Sequence, residues 1–300
     1  MRPLLLCLLA LLAACSGAPS GGPQQTATAF AVARPHAVLH GKHVGSGPPL
    51  ILVHGGADHR IFHPVLDRLA DEFTVVFYDQ RGYGATEVSD EAEATTLATD
   101  VADLDAIRAH FGWQDVSVLA YSHGGPIGLE YARTHAERLS KLILLATYSN
   151  NEERIMLAQK PATAVVQNEG RRKQVEALDA LDLSAEERQV REFMITPHFF
   201  HERELARADV AFWLSSKCID SGDKRWRSPR TKVFTELLVE ITTDTLVLCG
   251  ELDRITPLPH SRRMAHCLPN GILSVLSGCG HLCYADDPES FLRAVREYLR

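Results

Sequence analysis

The chain has 300 residues, 45% of them apolar and 23% charged, with a formal net charge of −7. That length suits one core domain carrying an insert, and the apolar fraction is enough to bury a full core without disulfides. The acidic balance excludes a nucleic-acid partner, since phosphate binding calls for a basic surface. Arg171-Arg172-Lys173 is too short to supply one and reads as a solvated face.

Met1-Arg2 followed by an apolar run from Pro3 to Ala14 has the build of a targeting segment. It is too short to span a bilayer, which takes about 20 apolar residues. The run ends in Leu12-Ala13-Ala14-Cys15, which resembles a bacterial lipobox. Residues 1–14 are thus expected to be a lipoprotein signal peptide. Cleavage before Cys15 would leave a lipid-modified cysteine that anchors an exported protein to a bacterial cell membrane. Ordinary secretory cleavage, with Cys15 incidental, is the alternative. Residues 15–34 are rich in small and polar residues and read as a flexible tether.

After the tether, apolar runs alternate with amphipathic ones. Strands are expected over 37–44, 50–54, 73–78, 117–120 and 142–147. Helices are expected over 61–69, 97–111 and 126–133. Near-continuous apolar strands alternating with helices imply a mostly parallel central sheet covered on both faces. Residues 148–243 break the alternation, being charged and helix-prone with no clear strand. Thr245–Cys249 and Ile272–Leu276 then read as two further strands. The α/β core is accordingly expected over 35–147 and 244–300.

Chemistry gathers at the strand ends. Ala120-Tyr121-Ser122-His123-Gly124 joins an apolar strand to a helix through a sharp turn with Ser122 at its apex. That is the form of a nucleophile elbow, where the residues two before and two after the serine must be small. A nucleophilic serine needs a base, and the base needs an orienting carboxylate. Gly250-Glu251-Leu252-Asp253 presents Asp253 just past one strand, and Gly278-Cys279-Gly280-His281 presents His281 just past the last. Leu50–Val53 runs into His54-Gly55-Gly56, a glycine turn with backbone donors. The N–H groups of Gly56 and His123 are expected to hold an oxyanion. His54 is expected to brace its own loop, and His123 to shape the pocket. Asp79 and Arg81 are expected to tie down theirs, and Asp286 and Asp287 to cap the helix that begins near Pro288.

Taken together, His54-Gly55-Gly56, Asp79-Gln80-Arg81-Gly82-Tyr83-Gly84, Ser122-His123-Gly124-Gly125, Asp253 and Gly280-His281 resemble the α/β-hydrolase superfamily, and within it the proline iminopeptidase-like branch. The resemblance runs from about Pro35 to Arg300, apart from the insert. It departs from that branch at Ala57-Asp58, where Pro-Gly is usual, and at His123, where Trp is common. It implies a serine hydrolase acting on small esters, amides or short peptides without metal or organic cofactor. Residues 148–243 would be a helical lid inserted after the sixth core strand. Lid aromatics, Phe199, Phe200 and Trp213 among them, would line an apolar pocket or form the lid's own small core. A non-catalytic ligand-binding module on the same fold is a further alternative.

Five cysteines lie beyond Cys15: Cys218, Cys249, Cys267, Cys279 and Cys283. Cys249 is expected to be a small buried hydrophobe. A bond from Cys267 to Cys279 or Cys283 would brace the His281 loop. No CxxC or HExxH pattern points to zinc, and His198 and His201 lack accompanying carboxylates.

Overall fold

The computed structural model describes residues 26–62, 65–89, 96–151 and 233–300. The targeting segment, Cys15 and most of the tether lie outside these residues. So does most of the expected lid, with Phe199, Phe200, Trp213 and Cys218. The strands are β1 (Thr28–Arg34), β2 (Ala37–Val44), β3 (Pro49–Val53), β4 (Thr74–Tyr78), β5 (Val116–Tyr121), β6 (Leu139–Leu145), β7 (Thr245–Gly250) and β8 (Gly271–Leu276). Between and after them come α1 (Leu97–His110), α2 (Gly125–Thr134), α3 (Leu258–Cys267), α4 (Cys283–Asp286) and α5 (Pro288–Leu299).

The eight strands form one sheet in the order β1-β2-β4-β3-β5-β6-β7-β8. Every pair from β4 to β8 is parallel, and β2 joins antiparallel both to β1 and to β4. The expected α/β architecture with a mostly parallel sheet is thus present. Successive side chains of a strand face opposite ways, and β3 shows the consequence. Leu50 and Leu52 enter one core layer with Phe62, Leu66, Tyr284 and Phe291. Ile51 and Val53 enter the other with Leu104, Ile127, Leu129 and Met264. Burial of Leu50 to Val53 is complete, which explains why the strand reads as a continuous apolar run.

Local chemistry sets the helix ends. Thr96 caps α1 by accepting from Thr99 N–H, and Thr99 Oγ1 answers Thr96 N–H at 2.8 Å. Asp287 caps α5 through Ser290 N–H at 3.0 Å, with Pro288 next, as expected from the sequence. Asp286 does not cap that helix; its Oδ2 accepts from Gly280 N–H at 2.7 Å and so steadies the loop before His281.

Three expectations are corrected. Residues 28–34 are not tether but an edge strand paired with β2 from Thr28↔His43 to Arg34↔Ala37. Phe30 and Val32 pack on the core from it, and Phe30 meets Phe111 edge-on at 5.2 Å. In place of a helix over 61–69 there are two 3₁₀ turns, His59–Phe62 and Leu66–Asp71. Pro64 lies between them in the sequence, and proline supplies no N–H to carry one helix through. Cys249, Cys267, Cys279 and Cys283 are all free thiols, so no bond from Cys267 braces the His281 loop. Cys249 is buried in β7, as anticipated. Among the described residues no helix is long and apolar enough to cross a membrane.

The turn after β4 is held by two carboxylate locks. Arg81 makes a two-pronged pair with Asp103 of α1, at 2.6 and 3.0 Å, and also donates to Pro35 O at 2.7 Å. Arg34 of β1 donates to the same carboxylate at 2.9 Å. Asp103 and Arg81 are both buried, so one carboxylate joins β1, the β4 turn and α1. Asp79 accepts from His59 Nδ1–H at 2.5 Å, from His59 N–H at 3.2 Å and from Ala85 N–H at 2.9 Å. Burial would push the Asp79 carboxyl up, but the His59 hydrogen bond and charge and the Ala85 N–H together bring it below its ordinary value. Gly84 adopts φ 48°, and a Cβ there would collide with this carboxylate.

Two outcomes follow from these locks. Asp103→Ala should cost about 3–5 kcal/mol in urea unfolding, because the buried Arg81 would lose its carboxylate partner. The double change Arg81→Met with Asp103→Leu should recover most of that loss. A carboxyl whose folded pKa is depressed contributes stability that is complete above its unfolded value, about 3.9, and lost as pH falls through the folded value. Asp79→Asn should therefore be destabilised at pH 7, with a shallower loss of stability below about pH 4 than the parent shows in acid titration.

Candidate active site

Ser122 stands between β5 and α2 with φ 50°, in the left-handed region that residues other than glycine rarely enter. Its surroundings leave no room for larger neighbours. A Cβ on Gly124 would lie 2.5 Å from Val53 O and 2.7 Å from His54 O. One on Gly128 would lie 2.8 Å from Ala120 Cβ, so α2 rides directly on β5. One on Gly55 would lie 2.9 Å from Ser122 Cβ. The glycine turn after β3 is thereby pressed against the serine.

Three expected residues from three distant segments meet here. His281 Nε2 lies 3.0 Å from Ser122 Oγ, and His281 Nδ1 lies 2.8 Å from Asp253 Oδ2. All three are buried. An ionised carboxylate can only accept, so Nδ1 carries the proton, and Nε2 is left bare to accept from the serine hydroxyl. Asp253 is itself fixed by Ile255 N–H at 2.8 Å, Thr256 N–H at 2.9 Å and Thr256 Oγ1–H at 2.6 Å. Tyr121 lies beneath, its ring centroid 5.2 Å from that of His281 and 5.7 Å from that of Tyr284. Burial drives the Tyr121 phenol far above its ordinary pKa, so the floor of the site is neutral.

The remaining histidines and thiols take other parts. His54 Nε2 accepts from Gln80 N–H at 2.9 Å, and Gln80 Nε2 donates to His54 O at 2.5 Å. That leaves Nδ1–H to donate to Gly55 O at 3.2 Å, and His54 braces its loop as expected. His123 Nδ1 is hydrogen-bonded to Tyr148 Oη at 2.5 Å. Burial pushes the Cys279 thiol up to about 12 and Cys283 well above its ordinary value, so neither supplies a rival thiolate nucleophile. Asp58, His59 and Asp79 bring ligand atoms within 4.8 Å of one another. Arg60 already grips Asp58 at 2.5–3.1 Å, and Asp79 is engaged by His59 and Ala85. The ligand atoms of both carboxylates are thus already engaged by protein partners.

Several contributors were not foreseen. Thr256 has a local signal, since Asp-x-x-Thr invites the side-chain-to-backbone turn seen here. Gln80 falls inside a motif already singled out. Thr147 and Tyr148 close the nucleophile loop from the end of β6, and only sheet order brings them there. Phe199, Phe200 and Trp213 lie outside the described residues.

The family model for the alpha/beta hydrolase fold matches residues 48–288. A proline iminopeptidase of Lactobacillus helveticus is 25% identical over 275 residues, spanning 84% of this chain and 90% of that protein. A pimeloyl-[acyl-carrier protein] methyl ester esterase of Chromobacterium violaceum is 26% identical over 267 residues, spanning 85% and 96%. Among solved structures, a thermophilic esterase from Thermogutta terrifontis superposes with a TM-score of 0.60 at 26% identity, covering 93% of this chain and 98% of its own. With the eight-stranded sheet, the serine between β5 and α2 and a family match over most of its length, this chain belongs to the α/β-hydrolase family and is a hydrolase.

Proposed function

We propose that the chain is a serine hydrolase that cleaves carboxylic ester or amide bonds of small substrates through an acyl-enzyme. The observation that carries this reading is the unbroken line from Ser122 Oγ to His281 Nε2 at 3.0 Å and from His281 Nδ1 to Asp253 Oδ2 at 2.8 Å. His281 takes the hydroxyl proton as Ser122 Oγ attacks the carbonyl carbon. Asp253 holds the imidazole in the needed tautomer and stabilises the imidazolium that forms. Negative charge develops on the former carbonyl oxygen, and the N–H groups of Gly56 and His123 are its donors. The close fit of Gly55 against Ser122 supports that pairing. The imidazolium then protonates the leaving group, and water, activated by His281, releases the acyl chain. No metal or organic cofactor enters these steps. An intact set of three groups argues against a non-catalytic binding module.

A second reading is a proline iminopeptidase-type aminopeptidase, favoured by the similarity to the Lactobacillus enzyme. It needs acidic groups to hold a free α-amine. Glu152, Glu153, Glu202 and Glu204 of the insert are candidates, and they lie outside the described residues. We also infer, from Leu12-Ala13-Ala14-Cys15 alone, that the protein is exported and lipid-anchored through Cys15. Two acyl chains on one cysteine would hold it stably, where one would not.

Ser122→Ala should lower the rate by roughly 10⁴–10⁶, and Asp253→Asn by about 10⁴ through the wrong tautomer. Retained turnover in either variant would reject the mechanism. Substrate class is decided by an acyl ester series run beside a proline arylamide with a free amine. Turnover of the esters alone would make this an esterase. Arylamide turnover that disappears when the amine is acylated would establish the aminopeptidase reading.

A further inference from the structure

The four residues that follow β6, Ala146 to Ser149, form a strap across the site. Ala146 adopts φ 44° and donates its N–H to Leu248 O at 2.8 Å. Thr147 Oγ1–H donates to Ser122 O at 2.5 Å. Tyr148 Oη is hydrogen-bonded to His123 Nδ1. Ser149 N–H donates to His260 Nε2 of α3 at 2.9 Å, and Ser149 O accepts from Phe234 N–H at 2.8 Å. Two successive strap side chains therefore grip two successive residues of the nucleophile turn.

The grip falls on a single peptide unit. The Ser122 carbonyl and the His123 N–H belong to one planar group and, in the trans form, point in opposite directions. Whatever fixes the carbonyl fixes the aim of the N–H. Ser122 O accepts from Gly125 N–H within the turn and from Thr147 Oγ1–H across it, so both lone pairs are engaged. Donation to the carbonyl also polarises the peptide and strengthens the N–H as a donor. Thr147 is buried, and a Cβ on Gly125 would collide with its hydroxyl. Gly125 thus leaves the space that the hydroxyl occupies.

We propose that Thr147 is a positioning residue for oxyanion stabilisation: its hydroxyl holds and polarises the Ser122–His123 peptide so that the His123 N–H meets the charge that develops in the transition state. This rests on the serine-hydrolase reading above, in which that N–H is one of two oxyanion donors. The contribution appears in the tetrahedral species and is nearly silent for ground-state binding. It should be smaller than the roughly 10²–10³-fold cost of deleting a donor outright.

The test compares the parent with Thr147→Val, which keeps the volume and removes the hydroxyl, and Thr147→Ser, which keeps the hydroxyl. Each is measured for the dissociation constant of an alkyl trifluoromethyl ketone, which forms a tetrahedral oxyanion on Ser122, for KM and kcat on p-nitrophenyl butyrate, and for Tm. Thr147→Val should weaken the ketone adduct and lower kcat by roughly tenfold while KM stays within about twofold. Thr147→Ser should restore both. Thr147→Ala offers a smaller donor-free side chain, and the same split is expected of it if the valine variant does not fold. An unchanged adduct in the donor-free variants would overturn the proposal. So would equal losses in adduct affinity and KM, or a serine variant that fails like the valine one. If the parent itself neither forms the ketone adduct nor labels with a fluorophosphonate, the serine-hydrolase reading fails first.

Discussion

Placing a serine at φ 50° at the join of a strand and a helix costs roughly 1–2 kcal/mol, and the surrounding backbone is arranged to hold it there. The strand must stop abruptly, because Ser122 already leaves the ladder that ties β5 to β3 and β6. The helix must start at once, and Gly124, Gly125 and Gly128 let it lie against β3, the end of β6 and β5 without a Cβ between. The His54-Gly55 turn can then press on the serine itself. A large residue at any of these places would push the chain back toward ordinary geometry and retract the hydroxyl from His281. The strain is offset by packing on both sheet faces, where the side chains of the central strands β3 to β7 are mostly buried.

Polar order around that turn is nearly complete. Asp253 receives the imidazole N–H, two backbone N–H groups and the Thr256 hydroxyl, and His54 is saturated by Gln80 and Gly55. Groups so held in a buried setting need little reorganisation when charge moves, which is how preorganised dipoles lower a barrier. Thiols and phenols near His281 stay protonated because burial penalises their ionised forms. Among the described residues, the carboxylate hydrogen-bonded to the imidazole is that of Asp253, which orients it.

Much of this was legible in the chain because the signals are local. Continuous apolar runs marked the parallel strands. Ser122, Asp253 and His281 each follow such a run directly, so their shared sheet edge could be read without coordinates. What escaped depended on contacts distant in sequence. Thr28–Arg34 reads as tether by composition, although Phe30 and Val32 alternate with small residues in the manner of a half-buried edge strand. Asp103 looks like one more charge on a helix until Arg81 and Arg34 arrive from the turn after β4 and from β1. Cysteine spacing carried no pairing information, since the fold keeps Cys267 on α3 and Cys279 and Cys283 near His281, all as thiols. Thr147 has no motif of its own; it acts because β5 and β6 are neighbours.

The bond from Phe234 N–H to Ser149 O has a meaning for how such an enzyme diversifies. It sets side by side the points where the chain leaves the core after Ser149 and returns to it at Phe234. With exit and return already paired to each other, that part of the core is closed without help from the chain that runs between them. An ancestor could exchange the connecting segment wholesale while the sheet and the strained serine were inherited intact.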